Sequence, residues 1–231
     1  MGQRLLSVVD ELKAAENVRA VVVTGAGRAF SAGGDIEFLR ERQRRHNDTE
    51  LSYAAMRGFY SLFLSIRQLP CPVVAAINGP AVGAGACLAA ACDLRLISKT
   101  AKFGVNFTKL GISPGMAGTH FLPQAFGQQF ATFLMLSGEL VSGEEAHANG
   151  LSLRLLDSPE ATVEEAHRVA KAIAAASPIA VRQTIRSLRL RSGAGLEASL
   201  TREAEAQAHC FSSPDFEIGL NALANKTEPK F

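Results

Sequence analysis

The chain has 231 residues, of which 47% are hydrophobic and 20% charged, enough apolar material for one large buried core, so disordered and fibrous classes are excluded. Lys and Arg number 24 against 22 Asp and Glu, a net +2 that speaks against a nucleic-acid binder working through charge. Four cysteines (Cys71, Cys87, Cys92, Cys210) form no Cys-x-x-Cys pair and no charge-flanked apolar leader precedes them, so reduced thiols and a cytoplasmic location are expected.

In chain order, residues 4–15 have an amphipathic helical pattern. Residues 20–23, Ala-Val-Val-Val, form a β-branched run ended by Thr24-Gly25-Ala26-Gly27, a buried strand feeding a turn. Arg40 to Arg45 is a basic run expected on a solvated helix face. Residues 51–68 predict a helix, with Phe59, Leu62, Phe63 and Ile66 on one face. Between Arg67 and Asp93 no charge occurs, but Pro70, Pro72, Asn78, Pro80 and several glycines make it a buried interior segment, not a membrane span. It holds a second strand, 73–77, ended by Asn78-Gly79-Pro80, and a short Ala-rich helix from about Gly85 to Cys92. Further strands are expected at 93–97 and from 151, and a helix through 124–137. Ser142-x-x-Glu145 and Thr162-x-x-Glu165 match capping boxes, and Ser177-Pro178 matches a helix start. Strands alternating with helices, then helices alone, indicate an α/β body over 1–160 and a helical region over 161–231.

Two Gly-rich turns follow strands: Gly25 to Asp35 and Asn78 to Gly85. A dinucleotide fingerprint would need glycine where Phe30 stands, and no P-loop lysine follows. The glycines serve either tight turns alone or a pair of loops whose free N–H groups converge on one oxygen, an oxyanion hole made without side chains.

Arg28-Ala29-Phe30-Ser31-Ala32-Gly33-Gly34-Asp35, Ala75 to Gly85, Phe103-Gly104 with Leu110 to Thr119, Leu136 to Glu139 with Glu144-Glu145-Ala146, and the ending Asp215 to Phe231 occur in that order. Together they resemble the signatures of the crotonase superfamily, the enoyl-CoA hydratase/isomerase family. The resemblance implies a spiral of ββα units with a C-terminal helical part that mediates trimers or hexamers. It also implies acyl-CoA thioesters as substrates, with coenzyme A part of the substrate and no separate cofactor, metal, nucleic acid or membrane. By the same likeness the oxyanion hole is formed by the backbone N–H groups of Gly34 and Ala84, and Ala32, Asp35, Ile36 and Lys226 stand at substrate positions. The family opens with two strands before its first helix, and this chain opens inside that helix.

The pair of glutamates that family hydratases use falls here on Cys87 and Phe107, so both carboxylates are replaced. The Ser113-Pro114-Gly115-Met116 turn, which carries an acid in other members, has none. Cys87 on an Ala-rich helix is expected to be a small core residue and not a substitute acid. Asp35 is expected as a helix N-terminal charge, and His120 as a structural or pocket-wall histidine. His46, His147, His167 and His209 lack metal spacing. Ser31 and Ser113 leave a serine hydrolase open, without a paired His and Asp in sequence context. Glu37 stands where hydratases often carry a lysine near the CoA phosphates, leaving Arg28, Arg40 and Lys226 as candidate phosphate partners. Isomerase- or decarboxylase-type enolate chemistry is therefore expected above hydration, with a non-catalytic acyl-CoA-binding member as the alternative.

Overall fold

The computed structural model describes residues 1–45 and 48–231; His46 lies outside them. Helix α1 (Gly2–Ala14) leads into strand β1 (Val21–Thr24), followed by α2 (Ile36–Arg44) and α3 (Thr49–Leu64), whose end tightens into a 3₁₀ turn over Ser65–Gln68. Next come β2 (Val73–Ile77), the short β3 (Ala81–Val82), α4 (Ala84–Ala91), β4 (Leu94–Ser98) and β5 (Lys102–Gly104). After a 3₁₀ turn at Thr108–Leu110 the chain forms α5 (Gly118–Phe126), α6 (Gln128–Ser137), β6 (Leu140–Ser142), α7 (Gly143–Ala148) and β7 (Arg154–Leu156). Four helices close it: α8 (Pro159–Ala174), α9 (Pro178–Ser192), α10 (Leu196–Phe211) and α11 (Pro214–Asn225).

Strands β1, β2, β4 and β7 form a parallel sheet in the order β1-β2-β4-β7, with Val21 opposite Val73 and Val74 opposite Leu94. A second, three-stranded sheet runs β3-β5-β6 and is turned so that its edge meets the first Gly-rich loop through a bridge from Ser31 to Ala81. Every residue of β2 is buried, as expected for a central strand of a parallel sheet covered on both faces. Val74, Ala76 and Leu96 face Ala166 and Val169 of α8, while Val73, Ala75 and Ile77 enter the main core. Alternation along the strand thus sends one face to each layer.

The single helix expected over 124–137 is two helices, α5 and α6, broken at Gly127 with φ 76°. Ser142 caps α7 by accepting from Glu145 N (3.1 Å), and Ser177 caps α9 by accepting from Ala180 N. The box expected at Thr162 is not formed. The cap of α8 is Ser158, which accepts from Ala161 N (3.1 Å), and Thr162 sits one turn inside the helix, its hydroxyl donating to Ser158 O (2.8 Å). Pro159 decides this, because its fixed φ and absent N–H suit the first helical position. The basic run is also only partly solvated. Arg40, Arg44 and Arg45 lie in water beside Glu37 and Glu41, but Arg42 is buried with its guanidinium over Phe38.

The helical region is stapled to the sheet by Arg189. Its guanidinium pairs with Asp93 (2.5 Å) and donates to the carbonyls of Arg67, Leu69 and Cys71, with both partners of the ion pair largely out of water. Helix α10 then lies along α3, and Leu196 and Leu200 pack against the chain's own core. Leu196 and Leu200 are thus half-buried against their own chain.

Candidate active site

The two Gly-rich loops are fastened side by side. Asn78, nearly fully buried, donates to the carbonyls of Gly25 (3.0 Å) and Gly27 (3.2 Å) and accepts from Gly25 N (3.2 Å). Ser31 N donates to Pro80 O (3.1 Å) and Val82 N donates to Ser31 O (2.9 Å). Gly33, at φ 95°, fits against this second loop because it has no Cβ; one there would lie 2.7 Å from Val82 O and 3.6 Å from Ala84 N. Such a φ is ordinary for glycine and strained for other residues. Gly83, at φ 55°, turns the chain into α4, so that Ala84 is the first residue of that helix.

Gly34 and Ala84 both line one cavity at this junction, and neither N–H has a partner among the described residues. The Ala84 N–H also stands at a helix N-terminus, where the peptide dipoles favour negative charge. Ala32 and Gly33 complete this wall. Opposite lie Phe38, Met56 and Phe59, then Phe107, Leu110 and Ile112, with Phe211 and Leu223 contributed by α10 and α11. Three uncharged polar side chains reach the same space: Tyr60, Asn106 and Gln207. No carboxylate, histidine or lysine is among its lining residues.

Phe107 holds its ring in the cavity wall. Cys87 does not line it. The side chain is completely buried on α4, close to Gly118, and burial pushes its thiol well above the ordinary range, with Glu203 adding to the effect. It is a core residue, as its Ala-rich setting suggested. Asp35 caps α2, accepting from Glu37 N (2.7 Å) and Phe38 N (3.3 Å), and Ile36 follows it, largely exposed. Lys226 ends α11, which packs against α2, three residues beyond the cavity-lining Leu223. Asp35, Ile36 and Lys226 thus stand outside the cavity lining, at elements that form its walls. Arg28 and Arg40 are exposed. His120 hydrogen-bonds Ser192 O (2.6 Å) and is absent from the cavity, a structural role. Ser31 accepts from Gly33 N through its Oγ (3.3 Å), and no His–Asp pair accompanies it or Ser113 in the hydrogen bonds of the described residues. No group of three metal-ligating side chains occurs among the described residues, and no helix there is long and apolar enough to cross a membrane.

Glu203 and Gln207 of α10 escaped the sequence patterns. Both are almost fully buried, one turn apart. Glu203 accepts from Ala117 N and Thr119 N (2.8 Å each) and from the Thr119 hydroxyl (2.5 Å), which holds Met116 and Ala117 in left-handed backbone at the start of α5. Burial raises its carboxyl above the ordinary range against the pull of those donors. The available signal was an i, i+4 polar pair on a helix face otherwise made of Ala204, Ala208 and Phe211.

Comparison with known proteins agrees with this architecture. The family model for enoyl-CoA hydratase/isomerase matches residues 1–231. A Thermus thermophilus relative named for enoyl-CoA hydratase is 38% identical over 231 residues, covering 100% of this chain and 90% of its own. The 1,2-epoxyphenylacetyl-CoA isomerase of Escherichia coli is 31% identical, covering 100% and 87%. The crystal structure of an enoyl-CoA hydratase from Mycobacterium avium subsp. paratuberculosis superposes with a TM-score of 0.83 at 29% identity, covering 100% and 87%. With the family model matching its whole length, and an α/β body and helical end like those of its relatives, the protein belongs to the enoyl-CoA hydratase/isomerase family of the crotonase superfamily.

Proposed function

We propose that the cavity receives the acyl group of a coenzyme A thioester and that the Gly34 and Ala84 N–H groups bind its carbonyl oxygen. One observation carries this: two unpaired backbone N–H groups, one of them at a helix N-terminus, open together onto an apolar cavity. A fixed donor aimed at a developing oxyanion contributes about 3 kcal/mol, so two such donors substantially stabilise a thioester enolate. Ala32 and Leu223 line the cavity, and Lys226 with Arg28 and Arg40 supplies cationic charge for the CoA phosphates.

The relatives' names span hydration and isomerisation. The composition of this cavity favours enolate chemistry over efficient hydration. Adding water across an enoyl thioester requires a base for the water and an acid for the α-carbon. Phe107 offers neither, and Cys87 is sealed away from the cavity. Decarboxylation of a malonyl-type thioester needs mainly the oxyanion hole, and double-bond isomerisation needs a single proton carrier. The same absence of a carboxylate, histidine or lysine favours, as a second possibility, a member that binds acyl-CoA without turning it over. Incubation with crotonyl-, 3-enoyl- and malonyl-type CoA, with products followed by mass spectrometry and binding by thermal shift, separates these outcomes. Failure of every thioester to bind would overturn the assignment.

Assembly as a homotrimer or a dimer of trimers belongs to the same proposal. Its support lies in exposed apolar side chains: Ile179, Leu188 and Leu190 on α9 and Leu136 on α6. A stable monomer by light scattering at micromolar concentration would refute it.

A further inference from the structure

Tyr60 and Gln207 form a polar pair in an otherwise apolar cavity, and their hydrogen bonds leave them with a defined donor–acceptor pattern. Gln207 Nε2 donates to Ser113 O (2.8 Å). A carbonyl can only accept, so this contact fixes the amide with its nitrogen toward Ser113 and its Oε1 toward Tyr60. Tyr60 must then donate its one proton to Gln207 Oε1, at 2.9 Å. The phenol oxygen keeps two acceptor sites. Among the described residues no other group is hydrogen-bonded to this oxygen, so an acceptor site remains. Gln207 Nε2 likewise keeps a second hydrogen. Burial, with Glu203 and Cys87 nearby, pushes the Tyr60 phenol far above its ordinary range, so it stays neutral.

The cavity reaches this pair at Gly115, which also lines it. A Cβ on Gly115 would lie 2.4 Å from the Tyr60 hydroxyl oxygen and 2.8 Å from Gln207 Nε2. The pair therefore occupies the space into which a side chain at position 115 would project. One free donor beside one free acceptor complements a hydroxyl group, which donates and accepts at once. An acceptor-only carboxylate would meet the phenol's lone pair, and a plain hydrocarbon would leave both groups unsatisfied, at a cost for each buried polar group.

We propose that Tyr60 and Gln207 are specificity-determining residues that select an acyl chain bearing a hydroxyl group. This rests on the acyl-CoA assignment of the cavity and adds the chemistry of the acyl chain to it. The test is calorimetric titration of butyryl-, 3-hydroxybutyryl-, 4-hydroxybutyryl- and acetoacetyl-CoA into the wild type, Tyr60→Phe and Gln207→Met. In the wild type one hydroxylated thioester should bind about 10-fold more tightly than butyryl-CoA, the scale of one hydrogen bond. In Tyr60→Phe this preference should fall to within about 2-fold. In Gln207→Met the phenol proton is released, and acetoacetyl-CoA, whose ketone only accepts, should gain on the hydroxylated ligands. A purely structural pair would lower the melting temperature of the variants without moving these ratios. Equal wild-type affinities for butyryl- and both hydroxybutyryl-CoA, or a preference that survives in Tyr60→Phe, would overturn the role of the pair while leaving the acyl-CoA site standing. Absence of binding by all four thioesters would overturn both.

Discussion

Replacing Gly33 with alanine tests the oxyanion hole without touching a side chain. Two costs arise. Alanine at φ 95° pays about 1–2 kcal/mol of backbone strain. Its Cβ also lies 2.7 Å from Val82 O, where ordinary contact begins at 3.4 Å, so the loops must separate by about 0.7 Å, the difference of the two distances. Donors act on an oxyanion at about 2.7–3.1 Å, so a shift of that size takes one N–H out of range. Gly27→Ala is the matched control, because Gly27 has φ 81° but nothing within 4 Å of a would-be Cβ, so it suffers strain alone. A chain of this size loses about 2–4 °C per kcal/mol, so Gly27→Ala should melt about 2–8 °C below wild type and Gly33→Ala lower still. The decisive readout is the carbonyl stretch of a thioester labelled with carbon-13, bound to each variant. Wild type and Gly27→Ala should lower its frequency relative to the free ligand, and Gly33→Ala should bring it back toward the free value. A Gly33→Ala protein that melts with the Gly27 control and retains the full frequency shift would refute the two-loop geometry.

Hydration of crotonyl-CoA should run well below about 10 s⁻¹, the middle of the enzyme range; Phe107→Glu, which puts a carboxylate in the cavity wall, should raise it, one positioned acid or base being worth about 10²–10⁴-fold. Cys87→Glu should instead destabilise the chain, since it buries a carboxylate in the core, and thermal melting with steady-state turnover checks both. Arg189→Met strands Asp93 and three backbone carbonyls, a loss of about 3–5 kcal/mol, and should lower the melting temperature by about 6–20 °C. Glu203 titrates above its ordinary value of 4.5 in the folded chain. Between the two values the folded state holds the extra proton, so stability falls as pH rises through that window and levels off above it. Glu203→Gln should flatten this decline when melting is followed from about pH 4 to about pH 9, and an unchanged slope would assign the pH dependence to other groups.

Much of the architecture was legible along the chain because it is written in local chemistry. The apolar runs at 20–23 and 73–77 announce strands, although only the second is fully buried and β1, at the sheet edge, is half-buried, and the glycines after them mark where the chain turns sharply. Ser142 and Ser177 announce their helices through side-chain acceptors. That positions 87 and 107 carry no carboxylate was likewise visible, since it concerns residue identity alone. Cys87 was assigned correctly to the core from its alanine neighbours.

What the linear pattern could not supply was contact between distant segments. Thr162 matches a capping box as well as Ser158 does, and only the placement of Pro159 at the first turn of α8 chooses between them. Arg42 looks like its solvated neighbours until α2 is laid against the core. Tyr60 and Gln207 lie far apart in sequence, and nothing local gives a tyrosine in α3 or a glutamine in α10 a role. Their shared cavity exists because Arg189 and the α3–α10 packing bring the helical end back over the two glycine loops. The two glycine loops could be placed from sequence, because turn geometry is local; the polar surroundings of the cavity are decided by tertiary folding, because hydrogen-bond satisfaction in a buried cavity depends on which distant groups close it.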